Sequence, residues 1–136
     1  MSQQQDCDRV LLVEDDILIA MSMEDMIFDC GFKLVSTASD CVSALEHQNS
    51  CDIALVDLNL TDGCTGTSIG ASLSKAGVSV IFVTANPEQV KEGVEGTVGV
   101  VTKPLFQEDM EPLLAYAQGH CRKIVAAAPK RLKVFR

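Results

Sequence analysis

The chain has 136 residues and 14.6 kDa, one domain's worth, and 47% of it is hydrophobic, which excludes disorder along its whole length. A compact chain of this size buries roughly 68% of its unfolded surface, so it needs no metal or disulfide to fold. Nineteen acids against eleven bases give a net charge of −8. Residues 1–121 hold all nineteen acids and five bases, a formal −14, whereas residues 122–136 carry +6. An acidic body with a short basic end argues against a dedicated nucleic-acid-binding domain.

No apolar run approaches the ~20 residues of a membrane helix, and MSQQQDCD lacks the charged and apolar stretches of a secretory signal. The expectation is a cytoplasmic protein with no membrane insertion. Cys7, Cys30, Cys41, Cys51, Cys64 and Cys121 form no CxxC and have no His at metal-ligand spacing. Reduced thiols packed as small hydrophobes are expected, with Cys64, in a polar glycine-bearing stretch, exposed. With no Trp, one Tyr and five Phe, aliphatic side chains must fill the core.

In chain order, short β-like apolar runs alternate with helical segments. Val10–Val13 precedes a helix from about Asp16 to Cys30, with Ile17, Ala20, Met21, Ile27 and Phe28 assigned to its apolar face and Gly31 as its stop. A strand around Lys33–Ser36 leads to Ser39 or Asp40 as the N-cap of a helix through His47. Ile53–Val56 is the third run. A turn-rich loop follows, then a helix over Thr67–Ala76 closed by Gly77. Val80–Val83 and Val98–Val101 are the fourth and fifth runs. Between them, Gly93 and Gly96 make residues 88–96 a brief, irregular helix. The last helix reaches about Gln118; it either starts near Asp109, with Pro112 in its first turn, or bends at Pro112.

Five nearly continuous apolar runs separated by helices predict an α/β, flavodoxin-like doubly wound parallel sheet in order 2-1-3-4-5, with helices on both faces. The expectation is that it occupies residues 1–121 and that residues 122–136 form a basic C-terminal tail with no output domain. That tail reads either as a solvated extension or as a strip that docks on an acidic surface or an anionic partner.

In such a sheet, residues just past the strands meet at one edge. Those residues are Glu14, Asp15 and Asp16, then Asp57, Thr84 and Lys103. Clustered carboxylates must share a cation or take up a proton. An oxygen-only pocket without His or Cys suits Mg²⁺. Asp16 alone reads as a helix cap.

VLLVEDD, IALVDLNL, VIFVT and VVTKP resemble the signature of response-regulator receiver domains of two-component signalling, from residue 9 to about 120. The resemblance implies that Asp57 is the phosphoacceptor for a histidine kinase or histidine phosphotransfer protein. It implies direct Mg²⁺ ligation by Asp15, Asp57 and the backbone carbonyl of Asn59, with Glu14 acting through a water. Thr84 and Lys103 would contact the phosphoryl group, and Lys103–Pro104 would be a cis peptide. The resemblance implies a partner face on the fourth helix, fifth strand and fifth helix, where a homodimer is one hypothesis and the oligomeric state is open.

The family commonly carries an aromatic switch three places before the lysine; here that residue is Val100. Phe82 and the segment 57–66 resemble the FAT GUY receiver subgroup, although Ala85 and Asn86 depart from it. The loop Thr61–Gly66 lacks GxxxxGK[ST] and is read as a turn rather than a nucleotide site. The expected function is thus a phosphorylatable switch signalling through protein–protein contacts, not a conventional enzyme. The alternative is a phosphorylation-independent interaction or dimerisation module on the same fold. A Mg²⁺-dependent phosphohydrolase is disfavoured because Asn59 stands where that class places its second Asp.

Overall fold

The computed structural model describes residues 6–60 and 65–135. Its elements are β1 (Arg9–Val13), α1 (Ile17–Asp29), β2 (Lys33–Ala38), α2 (Cys41–Leu45), β3 (Ile53–Asp57) and α3 (Gly66–Lys75). They continue with β4 (Ser79–Thr84), a 3-10 turn (Pro87–Val90), β5 (Gly99–Thr102), α4 (Gln107–Cys121) and β6 (Leu132–Val134). The sheet order is β2-β1-β3-β4-β5-β6. The first five strands are parallel, and β6 joins β5 antiparallel. The expected 2-1-3-4-5 doubly wound sheet is present, with one strand added.

The strands read as continuous apolar runs because helices cover both faces. Alternate residues serve opposite layers. Val10, Leu12, Leu55, Ile81 and Val101 pack with Met23, Ile27, Met110, Leu113 and Leu114 from α1 and α4. Leu11, Val13, Val56, Phe82 and Val100 pack with Ile69 and Leu73 from α3. Phe82 is the one aromatic among the described buried side chains, and aliphatics fill the rest.

Several local readings need correcting. The buried face of α1 is Ala20, Met23 and Ile27, while Ile17, Met21 and Phe28, assigned to that face from sequence, are exposed at 73%, 56% and 78%. Apolar residues surround so much of this helix that periodicity could not pick the core stripe. The helix after Asp40 ends at Leu45 and continues only as turns. Gly31 and Gly77 follow α1 and α3 with positive φ, as helix stops do. Residues 88–96 hold no α-helix, only the 3-10 turn. The last helix begins at Gln107, earlier than expected, where the Asp109 carboxylate accepts from the Phe106 N–H at 2.8 Å. Pro112 then lies beyond the first turn, and Gly119 lies inside the helix rather than after it.

Two larger differences concern the ends of the chain. The tail is not simply a solvated extension: residues 132–134 form β6, with Leu132 buried. It thereby covers the β5 edge of the face named for a possible homodimer. Nor are all six thiols reduced, because Cys7 and Cys121 form a disulfide across 114 residues of sequence. Chain spacing holds no sign of this pair; the fold brings the approach to β1 beside the end of α4. Cys30, Cys41 and Cys51 form no disulfide. Cys64 and residues 61–63 of the loop lie outside the described residues. Among the described residues no helix is long and apolar enough to cross a membrane.

Candidate functional site

The C-terminal ends of β1, β3, β4 and β5 share one edge of the sheet, and each delivers a polar residue there. Glu14 follows β1, with its N–H donating to the Ala38 carbonyl at 2.9 Å. Its side chain is only 3% exposed. Asp15 comes next, and Asp16 caps α1, its carboxylate accepting from the Leu18 and Ile19 N–H groups at 3.0 and 3.1 Å. Asp16 is thus used up as a cap, as its position suggested. Asp57, the last residue of β3, is buried, and its Oδ1 accepts from the Asn59 N–H at 3.1 Å.

Carboxylate oxygens of Glu14, Asp15 and Asp57 all lie within 4.8 Å of one another. Lys103, just past β5, reaches into this group. Its Nζ is 3.1 Å from Glu14 Oε1 and 3.4 Å from Asp57 Oδ2. The Lys103–Pro104 peptide is cis, and the Lys103 N–H donates to the Thr84 carbonyl at 2.8 Å. That bond ties the lysine's backbone directly to the end of β4.

The electrostatics follow from burial. Loss of solvent pushes the Glu14 carboxyl up, helped by the nearby Asp57 and opposed by the Asp16 N–H and Lys103. Burial works to lower Lys103, but the hydrogen bonds and charges of Glu14 and Asp57 hold its ammonium above the usual lysine value. The Lys103 ammonium is thus shared between two crowded acids, Glu14 and Asp57. An all-oxygen cluster of that kind suits a hard divalent cation.

Thr84 ends β4 fully buried; its hydroxyl accepts from the Asn86 N–H at 3.1 Å and donates to Gln89 Oε1 at 3.4 Å. Gln89 also pairs with the Asn59 side chain. Sequence reading missed Gln89: an exposed glutamine in a 3-10 turn carries no local signal, and only the fold sets it beside residue 59. Val100 and Phe82, the two residues singled out for switching, are buried neighbours across β4 and β5.

Comparison with known proteins agrees with this arrangement. The family model described as "Response regulator receiver domain" matches residues 10–115. The transcriptional regulatory protein PdtaR of Mycobacterium tuberculosis is 28% identical over 123 residues, which are 87% of this chain and 60% of that protein. The phyllosphere-induced regulator PhyR of Methylorubrum extorquens is 32% identical over 113 residues, 79% of this chain and 42% of that protein. This chain thus spans less than two thirds of either relative. The solution structure of the Erythrobacter litoralis PhyR receiver domain superposes with a TM-score of 0.70 at 29% identity, covering 81% of this chain and 88% of that one. With an acid cluster, a threonine and a cis-Pro-linked lysine on one rim of a doubly wound sheet, the chain belongs to the response-regulator receiver domain family.

Proposed function

We propose that this chain is a switch of a two-component or phosphorelay system that accepts a phosphoryl group from a phosphohistidine onto Asp57 and signals through protein–protein contacts. The observation that carries this reading is the position of Asp57, buried at a strand end, with Lys103 Nζ 3.4 Å from one of its oxygens and the Glu14 and Asp15 carboxylates beside it. A carboxylate is a weak nucleophile, so the rate must come from alignment and charge neutralisation.

Asp15, Asp57 and the backbone carbonyl of Asn59 would hold Mg²⁺, with Glu14 acting through a water. When bound, the ion offsets the repulsion between the acids and an incoming phosphoryl group. An Asp57 oxygen attacks phosphorus in line. The new P–O bond forms as the P–N bond to imidazole breaks, and the imidazole leaves with that electron pair. Lys103 and the Thr84 hydroxyl bind the equatorial oxygens, which requires Thr84 to leave Gln89. Phosphorylation adds up to about two negative charges at one point. The chemistry is limited to phosphotransfer to the chain itself and loss of that group by hydrolysis.

An apolar surface adjoins Lys103. Ile17, Leu18 and Met21 are exposed on α1, and a hollow of about 260 Å³ opens between α1 and the Lys103–Pro104 turn. A kinase or phosphotransfer protein presenting its histidine must cover this surface.

The test is incubation with phosphorylated histidine phosphotransfer proteins and Mg²⁺, read by Phos-tag gel. Label on wild type that is lost in Asp57→Asn and with chelator supports the assignment; label retained on Asp57→Asn moves the acceptor elsewhere. A second reading, a phosphorylation-independent interaction module, is favoured by Val100 at the usual aromatic position. Equal partner affinity with and without phosphorylation would select it.

A further inference from the structure

The body of the domain is shaped around its own tail. A Cβ on Gly99 would lie 2.3 Å from the Lys133 carbonyl oxygen and 3.1 Å from Val134 Cα, so β6 needs glycine there. Gly93, at φ +84°, leaves room for the Phe135 ring, whose Cγ is 3.3 Å from where a Cβ would stand. Val100 is opposite Lys133 in the ladder and beside Phe82 on the next strand. The Phe135 ring packs 6.4 Å from that of Phe82, tilted by 44°. An aromatic side chain is thus supplied to this layer by the tail rather than by β5.

The Arg131 end of the tail strand is anchored next to Lys103, and the Phe135 end is held at Val98 and Phe82. The Phe135 N–H donates to the Val98 carbonyl at 3.0 Å, and its ring touches Phe82, two residues before Thr84. Arg131 donates to the Thr102 carbonyl and pairs with Asp109. Thr102 faces Thr84 in the ladder and directly precedes Lys103. A movement of Thr84 or Lys103 toward new phosphoryl oxygens therefore disturbs an anchor of the tail. The strand itself is short, lies at the sheet edge, and follows a connection, residues 123–128, that is exposed throughout.

We infer that residues 131–135 are a self-docked strand released when Asp57 is phosphorylated, exposing the Gly99–Val101 edge and the aromatic seat beside Phe82. This rests on Asp57 being the phosphoacceptor. Release presents a strand edge and an apolar seat together, the two elements of strand-addition recognition.

The test is amide exchange by NMR on the full chain with Mg²⁺, with and without beryllofluoride. Shifts of the Asn59 and Lys103 amides report occupancy of the site, independently of the tail. The expected result is those shifts together with exchange at residues 132–135 about tenfold faster or more, while Leu55 and Ile81 stay protected. Phe135→Ala should give the same acceleration without beryllofluoride. Shifts at Asn59 and Lys103 with tail exchange changed less than about twofold would overturn the inference and leave the phosphoacceptor standing. No shift at either amide would remove the phosphoacceptor reading and this inference with it.

Discussion

Asn59 and Gln89, thirty residues apart, exchange two hydrogen bonds through their side-chain amides, at 3.3 and 3.2 Å. One amide sits two residues past Asp57; the other is on the 3-10 turn after β4. Because Gln89 Oε1 also accepts from the Thr84 hydroxyl, this pair holds that hydroxyl within the resting arrangement. Both amides are exposed, so water competes with them and each bond contributes at most about 1 kcal/mol.

Gln89→Ala should therefore affect switching more than stability. It frees the Thr84 hydroxyl to turn toward a phosphoryl oxygen. Phosphorylation from phosphoramidate should run about three- to tenfold faster, which is about 0.7–1.4 kcal/mol off the barrier. Urea denaturation should move by less than about 1 kcal/mol. An unchanged phosphorylation rate would show that Gln89 does not restrain Thr84.

Lys103 is expected to matter for the opposite reason. Its removal leaves the buried Glu14 and Asp57 without their cation. Lys103→Ala should lower stability by about 1–3 kcal/mol without divalent ions, a figure reduced from that of a fully buried pair because the lysine keeps 18% of its exposure. Added Mg²⁺ should then raise the melting temperature of Lys103→Ala more than that of wild type. Equal Mg²⁺ responses would mean that the lysine and the ion do not neutralise the same acids.

These two predictions also show what can be read from sequence. Glu14, Asp57, Thr84 and Lys103 were legible because each follows an apolar run, and a parallel sheet gathers such positions at one edge. Buried strands announce themselves; helices with surplus apolar residues do not. On α1, the sequence pattern places Ile17, Met21 and Phe28 inward, whereas the structure leaves them on the surface. Gln89 and β6 were invisible for another reason. Their contacts join residues 30 or more apart, and no local propensity encodes that distance. Only Gly99 and Val100 hint at β6, and their smallness makes sense once Lys133 and Phe135 are seen beside them.

At the other end of the sheet, Arg9 grips Asp52 with Nε and Nη2 at 3.0 and 2.9 Å, and its own N–H adds a third bond at 3.1 Å. The guanidinium holds the Asp52 carboxyl below its ordinary value of 3.8. A depressed carboxylate contributes stability above its unfolded pKa and loses it as the pH falls through the folded one. Wild type should exceed Asp52→Ala by about 1 kcal/mol near neutral pH, discounted because Arg9 is half exposed. The gap should be constant above about pH 5 and shrink below about pH 4. A gap independent of pH across that range would assign the loss to packing, not to the charged pair.

The Cys7–Cys121 bond closes nearly the whole domain into a loop, its ends 114 positions apart in the sequence. In the chain-entropy description such a loop stabilises by up to about 5 kcal/mol, less any native-state strain. The surroundings already favour closeness. The Asp6 carbonyl accepts from Gln118 Nε2 at 2.7 Å and Arg122 Nη2 at 3.0 Å, and Cys7 is buried. The thiols therefore stay near each other when reduced, and reduction should leave a folded but weaker domain. Urea midpoints with and without dithiothreitol should differ in the oxidised wild type and coincide in Cys7→Ser. Alkylation before reduction should modify neither Cys7 nor Cys121, and both should label afterwards. If both cysteines alkylate in the purified chain without reductant, and the urea midpoint ignores dithiothreitol, the two thiols are neighbours rather than partners.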